Sequence, residues 1–290
     1  MARRKRLATA VLHLVLAAAA SAGEFIRVDE DATAARLQTA VTRYEKGDQN
    51  VELVGAVHIA DKAYYQALTT RFTGYDALLF EMIGGEKFAN HQAPAAEEDA
   101  KDLSGLHKVY AMVATFLNLT GQTEHIDYTT QNFVHADLTQ AEFIQMQADR
   151  KESLIGFAMK AGKIDPDAPN QPDPAKLLRA MLSGSSNLVK LEIVHTLGRG
   201  DDQIAAFAGE SVIITDRNQR CIDVMEKEFA DGHNKLGIFY GAAHFPDLEK
   251  RLLERGFKRT QQDWLTAWDI PKAAAKPAEE PPANELKKAS

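Results

Sequence analysis

The chain has 290 residues, 45% of them hydrophobic, enough to bury a sizeable core in one domain or two small ones. Its 34 lysines and arginines stand against 41 aspartates and glutamates, a formal net charge of −7. That balance offers no basic field to gather a polyanion, so no nucleic-acid partner is expected.

The N-terminus opens with Arg3, Arg4, Lys5 and Arg6, followed by an apolar run over 7–20 and the small residues Ala20, Ser21 and Ala22. A basic start, a short apolar stretch and a small-residue cleavage site read as a signal peptide over 1–22. The apolar run is shorter than the roughly 20 residues a helix needs to cross hydrocarbon. The mature chain is therefore expected to be secreted or periplasmic, with no stable transmembrane segment after cleavage. Cys221 is the only cysteine. It cannot form an internal disulfide, and no histidine neighbours it in sequence, so a buried helix position is expected rather than a nucleophile.

Along the chain, the spacing of apolar residues predicts a helix over 32–44, a strand over 51–54 ending at Gly55, a helix over 61–72 and a strand over 77–80 that stops at Glu81. Strand, loop, helix and strand in that order make a βαβ unit with a covered parallel pair. The middle reads as helical: 103–119, then 139–159, whose start carries the capping box Thr139 and Glu142, then 175–182 and 188–197. The proline-rich stretch over 162–174 is read as a loop. The last third repeats the opening pattern, with a strand over 212–214, a helix over 216–229, a strand over 235–240 reaching Gly241, and a helix over 248–253 that ends at Gly256. From Pro271 to Ser290 proline, alanine and balanced charge predict a disordered tail. The expected architecture is α/β over 23–270: two related strand-loop-helix halves with a predominantly helical insertion, about 99–205, that forms a cap or lid.

Two segments carry the functional argument. VELVGAVHIADKAYYQAL starts at Val51 and LGIFYGAAHFPDLEKRLL at Leu236; in each an apolar strand precedes Gly-Ala-x-His, and an aspartate follows three positions after the histidine. Gly55 and Gly241 permit a close backbone approach at the strand exit. His58 and His244 then emerge where the strand passes into the helix, the edge at which open α/β sheets bind ligands. Neutral imidazoles there suit metal ligation or proton transfer. Asp61 and Asp247 are read as helix-start carboxylates or as site residues. Glu81 closes an apolar strand, as a site carboxylate or its first exposed position. Arg217, at the strand-to-helix junction of the second half, is read as a holder of a substrate carboxylate or developing oxyanion, or as a surface cation. His135 and Asp137 precede a helix, the aspartate either orienting the imidazole or leading into the Thr139 cap. Other patterns carry nothing: GKID at 162–165 lacks a phosphate-loop frame, no Gly-x-Ser-x-Gly or HExxH occurs, and the Arg-Gly-Asp triplet at 199–201 is read as loop.

These residues together resemble the TraB/PrgY/GumN family, relatives of the Tiki metalloproteases. GAVH and GAAH match its paired GxxH motifs, Glu81 in FEMI stands for its glutamate, Arg217 with Asn218 for its Arg-Asn pair, and the NFVHAD stretch around His135 and Asp137 for a recurring polar segment. The resemblance spans roughly 30–270 and implies an α/β metal-dependent hydrolase, a peptidase in the Tiki members. His58, His244 and Glu81 would then hold a divalent transition metal (Mn, Co or Zn), with Arg217 at the developing charge and Glu81 alternatively the general base. Two other readings stay open: a non-catalytic protein that captures a peptide or small molecule, and a metal-independent esterase using histidine as base.

Overall fold

A computed structural model describes residues 25–88, 91, 104–150, 174–197 and 214–272. The expected signal peptide, the second half of the 139–159 helix, almost all of the proline-rich loop, the Arg-Gly-Asp triplet and the tail beyond Lys272 lie outside them. Nine strands are described: β1 Ile26–Glu30, β2 Ala34–Lys46, β3 Gln49–Ala56, β4 Ile59–Ala60, β5 Ala77–Phe80, β6 Thr120–Gly121, β7 Phe133–His135, β8 Lys235–Gly241 and β9 Lys258–Pro271. The described helices are α1 Lys62–Phe72, α2 Ser104–Leu117, α3 Gln140–Arg150, α4 Pro174–Leu182, α5 Ser186–Leu197, α6 Thr215–Ala230 and α7 Phe245–Glu254.

The main sheet runs β2, β3, β8, β5, β7, and the last four of these strands are mutually parallel. β2 is antiparallel to three partners: β1 along its first half, β3 along its second, and β9 along nearly its whole length. The β3–β8 pairing brings the two repeated segments side by side. Gly55 lies beside Tyr240 and Ala56 beside Gly241, so the two Gly-Ala-x-His segments leave neighbouring parallel strands at the same edge.

Both faces of the sheet are covered, which explains why its strands read as apolar runs without polar alternation. On one face Val54, Leu78, Phe80 and Phe239 meet Tyr64, Tyr65, Leu68 and Phe72 of α1, with Val189 and Val194 of α5 closing the same cluster. On the other, Leu53, Leu79, Ile238 and Tyr240 meet Cys221, Ile222 and Met225 of α6 and Phe245, Leu248 and Leu252 of α7. Cys221 is fully buried, as expected, and burial pushes its thiol far above the ordinary range.

The helix expected over 32–44 is instead the long strand β2. Its Leu37 and Val41 face the α1 side and Ala40 and Tyr44 the α6/α7 side. With both faces buried, alanine-rich spacing imitates a helical stripe, while Thr39, Val41 and Thr42 fit the pleat better. β9, read as no element in the sequence, is an edge strand against β2, and a bulge between Thr266 and Trp268 turns Trp264 to the α6/α7 side and Trp268 and Ile270 to the α1 side. β7 interrupts the stretch expected to be helical and pairs with β5 through Phe80 and His135. His135 is thus the last residue of a strand and precedes α3, as expected. Ile214, expected to end a strand, occupies the position before α6, while 212–213 lie outside the described residues. The Thr139–Glu142 capping box is present, with Thr139 N–H donating to Glu142 Oε2 at 2.9 Å and Glu142 N–H to Thr139 Oγ1 at 3.2 Å.

Candidate functional site

Glu81 follows the last residue of β5, which puts its carboxylate above the end of the adjacent β8. Oε2 accepts the Gly241 N–H at 2.6 Å and Oε1 accepts Arg217 Nη2 at 2.6 Å. His244 Nε2 stands 3.5 Å from the same Oε1. A Cβ at Gly241 would lie 3.4 Å from Glu81 Oε2, in ordinary van der Waals contact. Burial alone would raise the pKa of Glu81, but the Arg217 guanidinium, then His244 and His58, outweigh it and hold the carboxyl well below the usual carboxylate range.

Arg217 comes from the first turn of α6, on the opposite face from α1. It grips Asp137 with two bonds, Nε to Oδ1 at 2.8 Å and Nη2 to Oδ2 at 2.6 Å, as well as Glu81. Asp137 lies two residues beyond β7, so α6 and the ends of β5 and β7 are tied at one point. Burial opposes the guanidinium charge, yet the two carboxylates prevail and hold its proton more tightly than in a free arginine. Arg217 is only 7% exposed at its side chain, and this geometry makes it a residue that positions carboxylates.

Asn218, the next residue, sets the chemistry of His244. Its Nδ2 donates to the His244 carbonyl at 3.1 Å and to Asp247 Oδ2 at 2.8 Å, which leaves Oδ1 facing His244 Nδ1 at 2.6 Å. An amide oxygen only accepts, so Nδ1 carries the hydrogen and the lone pair of the neutral ring is on Nε2. That lone pair faces a carboxylate oxygen. Such a contact holds together when Nε2 carries a second proton or when a cation is shared between the two groups. Asp247 is in turn fixed by Arg251 Nε at 2.6 Å, and so serves both as a first-turn helix carboxylate and as an anchor for Asn218.

Of the residues singled out in the sequence, Glu81, Asp137, Arg217, Asn218, His244 and Asp247 form this connected cluster. His58 is exposed on the loop after β3 and acts on Glu81 through its charge. Asp61 does not join it: its carboxylate accepts the Asp269 N–H at 2.7 Å and makes no bond to the α1 N-terminus, so it fastens β9 instead. His135 also stands aside, with Nε2 on the Met82 carbonyl at 2.8 Å and its ring over Phe80. Two residues went unread in the sequence. Gln122 donates its backbone N–H to the His58 carbonyl at 2.9 Å and its Nε2 to Tyr128 Oη at 2.7 Å. Neither sits in a periodic or repeated segment; the only signal was that 120–128 leads into the NFVHAD stretch.

Among the described residues no group of three His, Cys, Asp or Glu side chains stands ready to hold a metal ion. Glu81 and His244 are two side chains of ligand type facing each other, 3.5 Å apart at their nearest atoms. Fold and cluster together define an α/β protein with a polar centre at the carboxyl ends of adjacent parallel strands. No family model matches the chain, and no curated protein matches it. Among the described residues no helix is long and apolar enough to cross a membrane.

Proposed function

We propose that the chain is an extracytoplasmic, metal-dependent hydrolase of amide or ester bonds, with a peptidase as the first activity to seek. The reading is carried by the charge balance of the cluster. Glu81 and Asp137 face the single guanidinium of Arg217, and the further positive charge that balances them, a second proton on His244 or a shared cation, belongs between Glu81 Oε1 and His244 Nε2, where a divalent ion fits this reading. The donor set suits Mn, Co or Zn, held by Glu81 and His244 with His58 swinging in as the third ligand. When bound, such an ion polarises a carbonyl and acidifies a water. The chain's own residues do the rest: Asn218 keeps the His244 lone pair on Nε2, while Arg217 and the Gly241 N–H hold Glu81 ionised and immobile. The basic, apolar and small-residue leader over 1–22 supports the location, and the paired GxxH segments, through their family resemblance, support the chemistry.

The test pairs elemental analysis of the mature protein with a panel of peptide and ester substrates, for wild type and for His244→Ala. One equivalent of metal in wild type, lost together with turnover in the variant, is expected. A metal-free wild type that hydrolyses esters would replace this reading with a histidine-based esterase. A folded wild type inert with every added metal would leave a binding protein for peptides or small molecules.

A further inference from the structure

Tyr240 joins the two sides of the cluster. It is the last residue but one of β8, fully buried on the α6/α7 face of the sheet. Its ring meets the His244 ring in a T-shaped contact, with centroids 5.2 Å apart and planes at 78°. Its hydroxyl reaches past β5 and donates to the Ala136 carbonyl, just beyond β7, at 2.5 Å. The next residue, Gly241, gives its N–H to Glu81 Oε2. One strand end therefore touches His244, Glu81 and the turn that carries Asp137.

The Ala136 carbonyl belongs to the peptide that leads into Asp137, and Ala136 is held from two strands. Its N–H donates to the Phe80 carbonyl of β5 at 3.2 Å, and its carbonyl accepts from Tyr240 of β8. Asp137 then accepts two bonds from Arg217, whose Nη2 also donates to Glu81. Without the hydroxyl a buried carbonyl loses its partner, and the peptide is free to turn. A turned peptide displaces the carboxylate that orients Arg217, and with it Glu81. The phenol is suited to this task. Burial above all, then the Cys221 thiol and Asp137, hold its pKa well above the usual phenol range against the opposing charge of Arg217, so it stays a neutral donor.

We propose that Tyr240 is a positioning residue of this site. Its ring sets the plane of His244, and its hydroxyl, acting through the peptide between Ala136 and Asp137 and then Arg217, sets the direction of the Glu81 carboxylate. The assignment rests on the hydrolase reading above. It makes the hydroxyl a link between the two ligand-type side chains rather than a group that meets substrate.

Tyr240→Phe removes one oxygen and keeps the ring against His244. Its kcat on the best peptide or ester of the panel is expected to fall about tenfold with little change in KM, as for other groups that orient metal-binding side chains from behind. The visible bands of the cobalt-loaded protein, which report ligand geometry, are expected to shift in the same variant. Combined with Asp137→Asn, Tyr240→Phe should add no further loss, because both act through one turn; a contribution to folding alone would multiply the two losses. Replacing Tyr240 by 4-aminophenylalanine restores a donor at the same place and should recover most of the wild-type kcat. If Tyr240→Phe does not fold, this last protein decides: recovery upholds the assignment, and a folded but inactive protein overturns it. If wild type turns over substrate and Tyr240→Phe matches it in kcat and in cobalt bands, or if its loss multiplies with that of Asp137→Asn, the Tyr240 assignment falls and the hydrolase reading stands. If wild type neither holds cobalt nor turns over any substrate, both fall together.

Discussion

Arg217→Met takes one guanidinium from between two carboxylates. In the intact protein that side chain is 7% exposed and makes bonds of 2.6–2.8 Å to Asp137 and Glu81, whose side chains are 0% and 14% exposed. Methionine fills much of the volume but leaves Glu81 and Asp137 facing each other in a buried place. Breaking a buried pair from one side costs about 3–5 kcal/mol, a large share of an ordinary domain's stability. The penalty depends on pH. Glu81 has its folded pKa held well below the usual carboxylate range. Its ionised form therefore contributes stability that is complete above the unfolded value, roughly 4.3, and is lost as pH falls through the folded value. In the variant burial acts without the guanidinium, the folded value rises above the unfolded one, and protonation relieves the strain as pH falls. Urea unfolding at pH 7, 5 and 3.5 should thus find the gap between the two proteins widest at pH 7 and narrowing with acid. Adding Glu81→Gln should recover part of the loss, with a coupling energy of at least about 1.5 kcal/mol. A gap under about 1 kcal/mol at pH 7, or one of equal size at all three values, would refute this account of the cluster.

Further outcomes follow from other residues. Asn218→Ala removes the acceptor at His244 Nδ1 and is expected to lower turnover and metal affinity 10- to 100-fold, as second partners of ligand histidines do; unchanged values for both would contradict the tautomer assignment. Gly237→Ala places a Cβ 2.6 Å from Leu78 Cδ1 and 2.7 Å from the Tyr75 ring, so thermal or urea unfolding should record a loss of about 1–3 kcal/mol. Cys221, fully buried with its thiol acidity suppressed, should react with a thiol reagent only after denaturation, and stoichiometric labelling of native protein would show the α6 packing to be wrong.

The site was more legible in the sequence than the sheet that carries it. A glycine and a histidine at a strand exit are local facts, and their recurrence at Val51 and Leu236 was enough to place His58 and His244 on one edge. The pairing of β3 with β8 joins residues far apart in the chain, and only the repeat hinted at it. β2 was misread because Ala34, Ala35 and Ala40 are buried on a strand covered on both sides, where small residues obey neither period. β9 escaped because its first half, Lys258 to Gln262, is polar edge with lysine and glutamine outward, the usual dress of an edge strand. Gln122 and Tyr128 had no motif at all; the bonds that join them to the His58 loop are a property of packing that spacing does not encode. The partners of Arg217 were hidden for the same reason, since Asp137 reaches its guanidinium from just beyond a strand that the spacing does not announce.

The central claim is that Glu81 and His244 share a cation at the end of β8. Anomalous diffraction from crystals of the mature protein equilibrated with manganese, cobalt or zinc tests it most directly. The account predicts a single strong peak bonded to Glu81 Oε1 and His244 Nε2, with the His58 ring turned toward it. Well-ordered crystals with no peak between those two atoms for any of the three metals would contradict it.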